Sequence, residues 1–249
     1  IWIRGDFVVG DATLNRFFSF HVIAVPLVLL GLVAAHILAL HEVGSNNPDG
    51  VEIKKRKDVH GHPLDGIPFH PYYTVKDIVG VVVFLMVFSI IVFFAPEGGG
   101  YFLEYNNFLP ADPLKTPLHI APVWYFTPYY SLLRAMVWPL FGIDAKFWGV
   151  VAMGAGVVIL AFLPWLDRSP VKSIRYRGPI FKTLLTIFVI SFVILGFLGT
   201  QPPSYAFFGV IPSAPVAQVL SAYYFLYFLT MPWWSKIDKY KPEPDRVTM

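Results

Sequence analysis

The stretch that decides the fold is Phe17–Leu40, FFSFHVIAVPLVLLGLVAAHILAL, twenty-four residues without Asp, Glu, Lys or Arg. At about 1.5 Å per residue, a helix of that length crosses the roughly 30 Å hydrocarbon core of a bilayer. It holds two histidines, His21 and His36, and a third, His41, stands just past its end. A polar ring in hydrocarbon must find a partner, so two of them in one span point to function. Fifteen residues separate His21 from His36, about 22 Å of helical rise, which puts one ring in each leaflet. Two stacked metal or cofactor positions across a membrane outline a path for electrons or protons.

The bulk composition agrees with a membrane protein. Apolar residues make up 56% of the 249-residue chain, aromatics 17% and charged residues 14%, with a mean hydropathy of +0.59. A soluble domain carries nearer to about a quarter charged residues. There is no cysteine, which excludes disulfides, thiolate metal sites and iron–sulfur ligation by this chain. The sequence starts at Ile1 with neither an initiator Met nor a basic stretch ahead of its first apolar run. The expectation is the later part of a longer protein, or one product of a split one.

Five spans can be laid out: Thr13–Leu40, Ile78–Ala95, Phe147–Leu166, and two within the uncharged run Thr183–Ser235, which the break Gly199–Ser204 divides. An odd number puts the termini on opposite sides. The loop after the first span carries Lys54, Lys55, Arg56, Lys57 and Lys76. The loop after the third carries Arg168, Lys172, Arg175, Arg177 and Lys182, and the tail adds Lys236, Lys239, Lys241 and Arg246. Only Arg4, Arg16, Lys115, Arg134 and Lys146 of the 19 basic residues fall on the other side. The positive-inside rule makes the basic side cytoplasmic. The pI of about 9.0 is then a topology signal, and no nucleic-acid partner is needed. The tryptophans sit near span ends or in outer loops, as an interfacial belt does. The outer connection from Pro96 to Lys146, rich in Pro and aromatics, far exceeds the usual loop length; such loops are commonly functional. It is expected to fold against the membrane surface with short helices of its own.

Neutral imidazole is a common axial ligand of haem iron. His60, His62, His70 and His119 all fall in loops, so if His21 and His36 bind haem, half of each ligand set lies outside this sequence. Fifteen positions leave His21 and His36 about 60° apart around a regular helix, which calls for a local irregularity or tilt. Pro26 and Gly31 are its expected sources. His41, five residues beyond His36, lies about 140° further round and serves another purpose at the cytoplasmic interface.

Thr13-Leu-Asn-Arg-Phe-Phe-Ser-Phe-His21, followed by His36-Ile-Leu-Ala-Leu-His41-Glu-Val-Gly-Ser-Asn-Asn-Pro48, strongly resembles the fourth transmembrane helix of cytochrome b from cytochrome bc complexes. The resemblance continues through Ile67-Pro-Phe-His-Pro-Tyr-Tyr-Thr-Val-Lys-Asp77, Thr116-Pro-Leu-His-Ile-Ala-Pro-Val-Trp-Tyr125 and Leu163-Pro-Trp-Leu-Asp-Arg-Ser-Pro-Val171. It implies an all-α integral membrane protein holding the later five of eight family helices. Residues 1–77 would close the family's N-terminal region, and residues 78–249 would form its C-terminal region, with the quinol-site loop at 96–146. It also implies two b-type haems: His21 would ligate the low-potential haem near the outer face, His36 the high-potential haem near the cytoplasm. The mitochondrial branch spaces these histidines fourteen apart; fifteen resembles the plastid-type and some bacterial branches.

The same resemblance implies an inner quinone-reducing site at His41, Ser45, Lys76 and Asp77. A His and an Asp at a membrane edge can hydrogen-bond quinone carbonyls and relay protons from water. The outer quinol-oxidising site would take Pro122, Val123, Trp124, Tyr125, Phe126, Tyr130 and Arg134. Most relatives carry a proton-accepting Glu where Val123 stands, and Val123 cannot titrate, so Tyr130, His119 or ordered water is expected to substitute. Arg16 is read either as a haem-propionate partner or as a snorkelling interfacial residue. Glu97, Glu104 and Asp112 read as solvated loop charges. The implied activity is that of a ubiquinol–cytochrome c reductase of a bacterial inner membrane, building a proton gradient. It would work beside a Rieske iron–sulfur protein and a cytochrome c1-type subunit, in a homodimeric complex. A plastid-like relative feeding a plastocyanin-type carrier is the first alternative. A transporter using its histidines as a proton relay is the second, although its spans lack acidic residues.

Overall fold

The structure, a computed structural model, describes residues 1–98, 105–110, 112, 114, 115, 117, 120–202 and 204–247. Four helices are long and apolar enough to cross a membrane: Asp11–Val43, Tyr72–Phe94, Ala145–Leu166 and Pro179–Thr200. Among the described residues, the apolar pair Ser213–Leu229 and Met231–Ile237, bent by 62° at the break between them, makes a fifth crossing when taken as one span. Four of the expected spans coincide with these long helices and the fifth with the bent pair, and the protein is all-α apart from one two-stranded hairpin among the described residues. The chain divides into two compact units, Ile1–Asn47 with Glu52–Leu118, and Pro48–Val51 with His119–Met249.

In the first unit, helix α1 (Asp11–Ser19) passes through a π-turn (Phe20–Ala24) into α2 (Val25–Val43). The Thr13 hydroxyl fastens the start, accepting the Gly10 N–H at 3.3 Å and donating to the Arg4 carbonyl at 2.6 Å. At the other end the Gly44 N–H donates to the Leu40 carbonyl at 2.7 Å, with φ of +83°, a left-handed stop that glycine adopts without strain. Helix α3 (Tyr72–Phe94) begins six residues before the expected Ile78. The apolar run starts at Ile78, but Lys76 and Asp77 are tolerated inside a helix, and Pro71 marks where it can start. No residue of α1, the π-turn, α2 or α3 is buried. Their apolar surfaces therefore need lipid or further protein segments to cover them. Between the helices, the Asp58 carboxylate accepts the backbone N–H groups of His60 at 2.9 Å and His62 at 2.8 Å. The His62 N–H does most to hold its pKa below the usual carboxylate range.

The second unit contains α4 (Thr127–Ala135), α5 (Ala145–Val158), α6 (Leu163–Leu166), α7 (Pro179–Thr200), α8 (Ser213–Leu229) and α9 (Met231–Ile237). A 3₁₀ turn, Ile159–Phe162, joins α5 to α6 just ahead of Pro164, which cannot donate within a helix. The hairpin of β1 (Ala206–Phe207) and β2 (Ile211–Pro212) links α7 to α8, pairing Ala206 with Pro212 and Phe207 with Ile211. The core is Leu132, Leu195, Tyr224, Tyr227, Phe228, Met231 and Trp234. Pro232 makes α8 and α9 two helices, because its ring removes the donor that would continue the ladder. The Trp234 indole restores contact across the bend by donating to the Tyr227 carbonyl at 3.1 Å. Helix α7 opens with Pro179, and the Asp238 carboxylate accepts the N–H groups of Gly178, Ile180 and Phe181 at 2.9, 3.1 and 3.3 Å. An anion there satisfies orphan donors and meets the positive end of the helix dipole.

The segment Pro48–Val51 is held in this unit by an ionic knot. Asp49 is fully buried, and its Oδ1 accepts from Arg175 Nη1 at 2.9 Å and from the Tyr176 hydroxyl at 2.8 Å. That bond to the Asp49 carboxylate raises the Tyr176 pKa above its ordinary value. Gly50 adopts φ of +75°, and a Cβ there would stand 2.7 Å from Glu243 Oε1. Glu243 in turn accepts the N–H groups of Lys172 and Ser173 at 2.6 and 3.2 Å.

Candidate functional site: an outer aromatic strip and two histidines in one span

Helix α4 carries Tyr130 and Arg134, and its position follows from close backbone contacts. A Cβ on Gly149 would stand 2.6 Å from the Leu133 carbonyl oxygen, and one on Gly156 would stand 2.7 Å from Leu132 Cδ1. A Cβ on Gly199 would lie 2.7 Å from the carbonyl carbon of Thr127 and closer still to its oxygen. Three glycines, two on α5 and one on α7, thus let α4 sit against the helix backbones, the small-residue packing common in membranes. Polar bonds fix it further. The Ser131 hydroxyl donates to the Leu195 carbonyl at 2.5 Å, Arg134 Nη1 to the Gln201 carbonyl at 2.8 Å, and Gln218 Nε2 to the Ala135 carbonyl at 3.3 Å.

The stretch leading into α4 is an aromatic strip. The Trp124 and Tyr125 rings meet edge-on at 5.5 Å, Tyr125 and Phe126 at 5.8 Å, Phe126 and Tyr129 at 6.1 Å, and Tyr129 reaches Phe192 on α7 at 5.8 Å. The Thr127 hydroxyl donates to the Trp124 carbonyl at 2.7 Å and closes the turn that starts the helix. Pro122 is half-buried, while Val123, Trp124, Tyr125 and Phe126 are exposed. The Arg134 guanidinium lies over the Tyr130 ring at 5.5 Å, a cation–π contact at a half-buried phenol. So Pro122, Val123, Trp124, Tyr125, Phe126, Tyr130 and Arg134 lie along one strip and one short helix. His119 lies outside the described residues. Sequence reasoning missed Ser131, Gly149, Gly156 and Gly199, which seat the strip; glycines recurring in apolar helices were the available signal.

In the first unit, His21 lies in the π-turn, His36 two turns before the end of α2, and His41 in its last turn. Arg16 is on α1, five residues before His21 and so about 140° round the helix. Its guanidinium donates to the Trp2 carbonyl and lines an apolar cavity of about 830 Å³ with Trp2, Ile3, Asn15, Ser19, Phe20, Ile23 and Ala24. Ser45 follows α2, and Lys76 and Asp77 occupy the second turn of α3, Lys76 lying 5.7 Å from the Tyr73 ring centroid. All four inner-site candidates, His41, Ser45, Lys76 and Asp77, are exposed, and no hydrogen bond or ion pair joins them among the described residues.

Among the described residues, no group of three or more His, Cys, Asp or Glu side chains could hold a bare metal ion. Single imidazoles in an uncharged span suit a different task, the axial ligation of an iron whose other ligands are porphyrin nitrogens. Among the described residues neither His21 nor His36 has a side-chain hydrogen-bond partner, and both residues are exposed. Their donor chemistry therefore fits a haem.

Residues 1–128 match the family described as cytochrome b(N-terminal)/b6/petB, and residues 110–225 match cytochrome b(C-terminal)/b6/petD. The chain belongs to the cytochrome b family. Cytochrome b of Allochromatium vinosum is 58% identical across 100% of this chain and 58% of that protein. Cytochrome b of Rhodospirillum rubrum is 44% identical over 98% of the chain and 54% of that protein. A protein named cytochrome b/c1 from Bradyrhizobium diazoefficiens is 40% identical over 98% of the chain and 32% of its own length. The chain thus spans little more than half of the cytochrome b proteins it matches. Cytochrome b membership implies b-type haem, and with the apolar helices it makes this a multi-pass protein of a bacterial inner membrane.

Proposed function

We propose that this chain is the later part of the dihaem cytochrome b subunit of a bacterial quinol–cytochrome c oxidoreductase. The observation that carries the proposal is one 33-residue apolar helix, Asp11–Val43, with His21 and His36 fifteen residues apart along it, a separation that supports one ring in each leaflet. His21 would hold the low-potential haem and His36 the high-potential one, each with a second imidazole supplied from elsewhere. When bound, the two haems supply a one-electron relay across the membrane. Carrying one charge across the full potential costs about 2.3 kcal/mol per 100 mV, so a relay of this kind couples quinol oxidation to a proton gradient.

The chain's own residues bind and orient the quinones and move their protons. The strip from Pro122 to Phe126, with Tyr130 and Arg134, forms the wall of the outer quinol site, its rings stacking against a planar head group. Val123 holds no proton, so Tyr130 and His119 provide the side-chain route for proton release. At the inner face His41, Ser45, Lys76 and Asp77 bind the quinone carbonyls and deliver protons from the cytoplasm. Residues 1–77 complete the haem-ligating region and residues 78–249 the quinol-oxidising one. A Rieske iron–sulfur protein takes one electron from the outer site, a cytochrome c1-type subunit passes it on, and the complex is a homodimer; the cytochrome b/c1 name of the Bradyrhizobium protein fits that arrangement.

The test is ubiquinol-dependent reduction of cytochrome c by membranes holding the full-length protein and its partners. Tyr130→Phe and His119→Ala are expected to lower the rate and move its pH profile, by up to about 10²–10⁴-fold for an essential proton acceptor. If each leaves both unchanged, neither side chain carries the proton. Membranes with the folded complex but no ubiquinol-dependent turnover refute the function.

A further inference from the structure

The membrane helix that carries both histidines is not uniform. Phe20–Ala24 is a π-turn, closed by the Val25 N–H donating to the Phe20 carbonyl five residues back. Backbone angles stay right-handed through it, with φ and ψ of −62° and −40° at Ser19 and −65° and −50° at Ala24, so the helix is widened without being broken. Pro26 stands in the first turn beyond. In a regular α-helix its ring would strike the Val22 carbonyl and offer it no N–H. A wide turn just ahead of the proline relieves that conflict. The local sequence supplies a cause: Pro26 follows the turn at once, and none of the five turn residues is buried.

The wide turn changes where His21 points. On a regular helix the fifteen-residue spacing puts His21 and His36 about 60° apart. A π-turn absorbs about one residue without advancing the helix by that residue's rotation. Had the whole residue been absorbed between the histidines, the pair would stand about 40° apart in the opposite sense, as fourteen positions give. His21 is itself the second residue of the turn, so only part of the correction applies, and the angle falls between these limits, a range that contains alignment. We propose that Pro26 is a positioning residue for His21: it holds the π-turn that brings the two imidazoles onto one face of the span. The proposal deepens the haem reading and rests on it.

The experiment uses the full-length protein in its complex, with electron paramagnetic resonance of the oxidised low-spin haems and a redox titration. The g-values of such haems follow the relative orientation of their axial imidazole planes, and His21→Leu assigns the signal that belongs to His21. Pro26→Ala is expected to shift or abolish that signal while the His36 signal persists, with haem affinity falling by roughly ten-fold, the lower range for disturbed ligand orientation. Deleting Ile23 in the Pro26→Ala background removes the residue the turn accommodates and is expected to move the signal back. Wild-type g-values and potentials in Pro26→Ala overturn the proposal. So does a joint loss of both signals, or a His21 signal that the deletion does not recover. Absence of any b-type signal in the unmodified complex refutes the haem reading itself and is distinguishable from all of these.

Discussion

Gly199→Ala is the sharpest perturbation of the outer strip, because the residue touches the backbone of α4 and none of the proposed quinol ligands. The new Cβ would stand 2.7 Å from the carbonyl carbon and 2.9 Å from the Cα of Thr127, where ordinary contact begins at 3.4 Å. Backbone cannot rotate away as a side chain can, so α4 or α7 must retreat by a distance of the order of 1 Å, at a cost of about 1–3 kcal/mol. The Ser131–Leu195 and Arg134–Gln201 bonds, at 2.5 and 2.8 Å, hold α4 to the same stretch and lengthen with that retreat. Misplacement of a reacting geometry by about 1 Å can cost about 10²-fold in rate. Ubiquinol–cytochrome c turnover is therefore expected to fall by one to two orders of magnitude, while the reduced-minus-oxidised haem spectrum keeps its bands. Paired measurements of turnover and thermal denaturation on the same complex read both effects. Wild-type turnover together with wild-type stability would refute the seating of α4 by Gly199.

Other perturbations have outcomes as definite. Asp49→Ala removes the acceptor of Arg175 and Tyr176; since the Arg175 side chain is 55% exposed and regains water, the loss is expected at about 1.5–3 kcal/mol, below that for a fully buried pair, measured by denaturation of the complex. In Asp49→Asn the Tyr176 pKa is expected to fall back toward that of ordinary tyrosine, followed by nuclear magnetic resonance of labelled tyrosines. In the unmodified protein the raised Tyr176 pKa means that its contribution is whole below the ordinary tyrosine pKa and is lost as pH rises through the raised one. The depressed pKa of Asp58 has the opposite sign: the 58–62 turn is held above the ordinary carboxylate pKa and loosens as pH falls through the depressed value. Proteolysis of the Lys54–Lys57 region should accelerate below that value in the unmodified protein and at all pH values in Asp58→Asn.

The spans were legible because apolar length is a property of composition. An uncharged run such as Phe17–Leu40 has few alternatives to a membrane helix. Their ends were less so. Tyr72 begins α3 ahead of Ile78 because hydropathy marks where charge stops, whereas a helix is limited by its hydrogen bonds. The irregularity near Pro26 was expected from the histidine spacing; its form, a π-turn ahead of the proline, required backbone hydrogen bonds to be seen. The aromatic strip and Arg134 could be named from the motif around Pro122. What seats them could not: the contacts of Gly149 and Gly199 with α4, and the bond from Ser131 to Leu195, join residues on different helices. No sequence motif marked Asp49, whose partners Arg175 and Tyr176 lie more than a hundred residues later.

The measurement that tests the central claim most directly is a potential-titrated reduced-minus-oxidised absorption spectrum of the membrane complex containing the full-length protein. The account predicts two b-type components of different potential, the lower lost in His21→Leu and the higher in His36→Leu. A folded complex without a haem signal, or one whose two components both survive both substitutions, would contradict it.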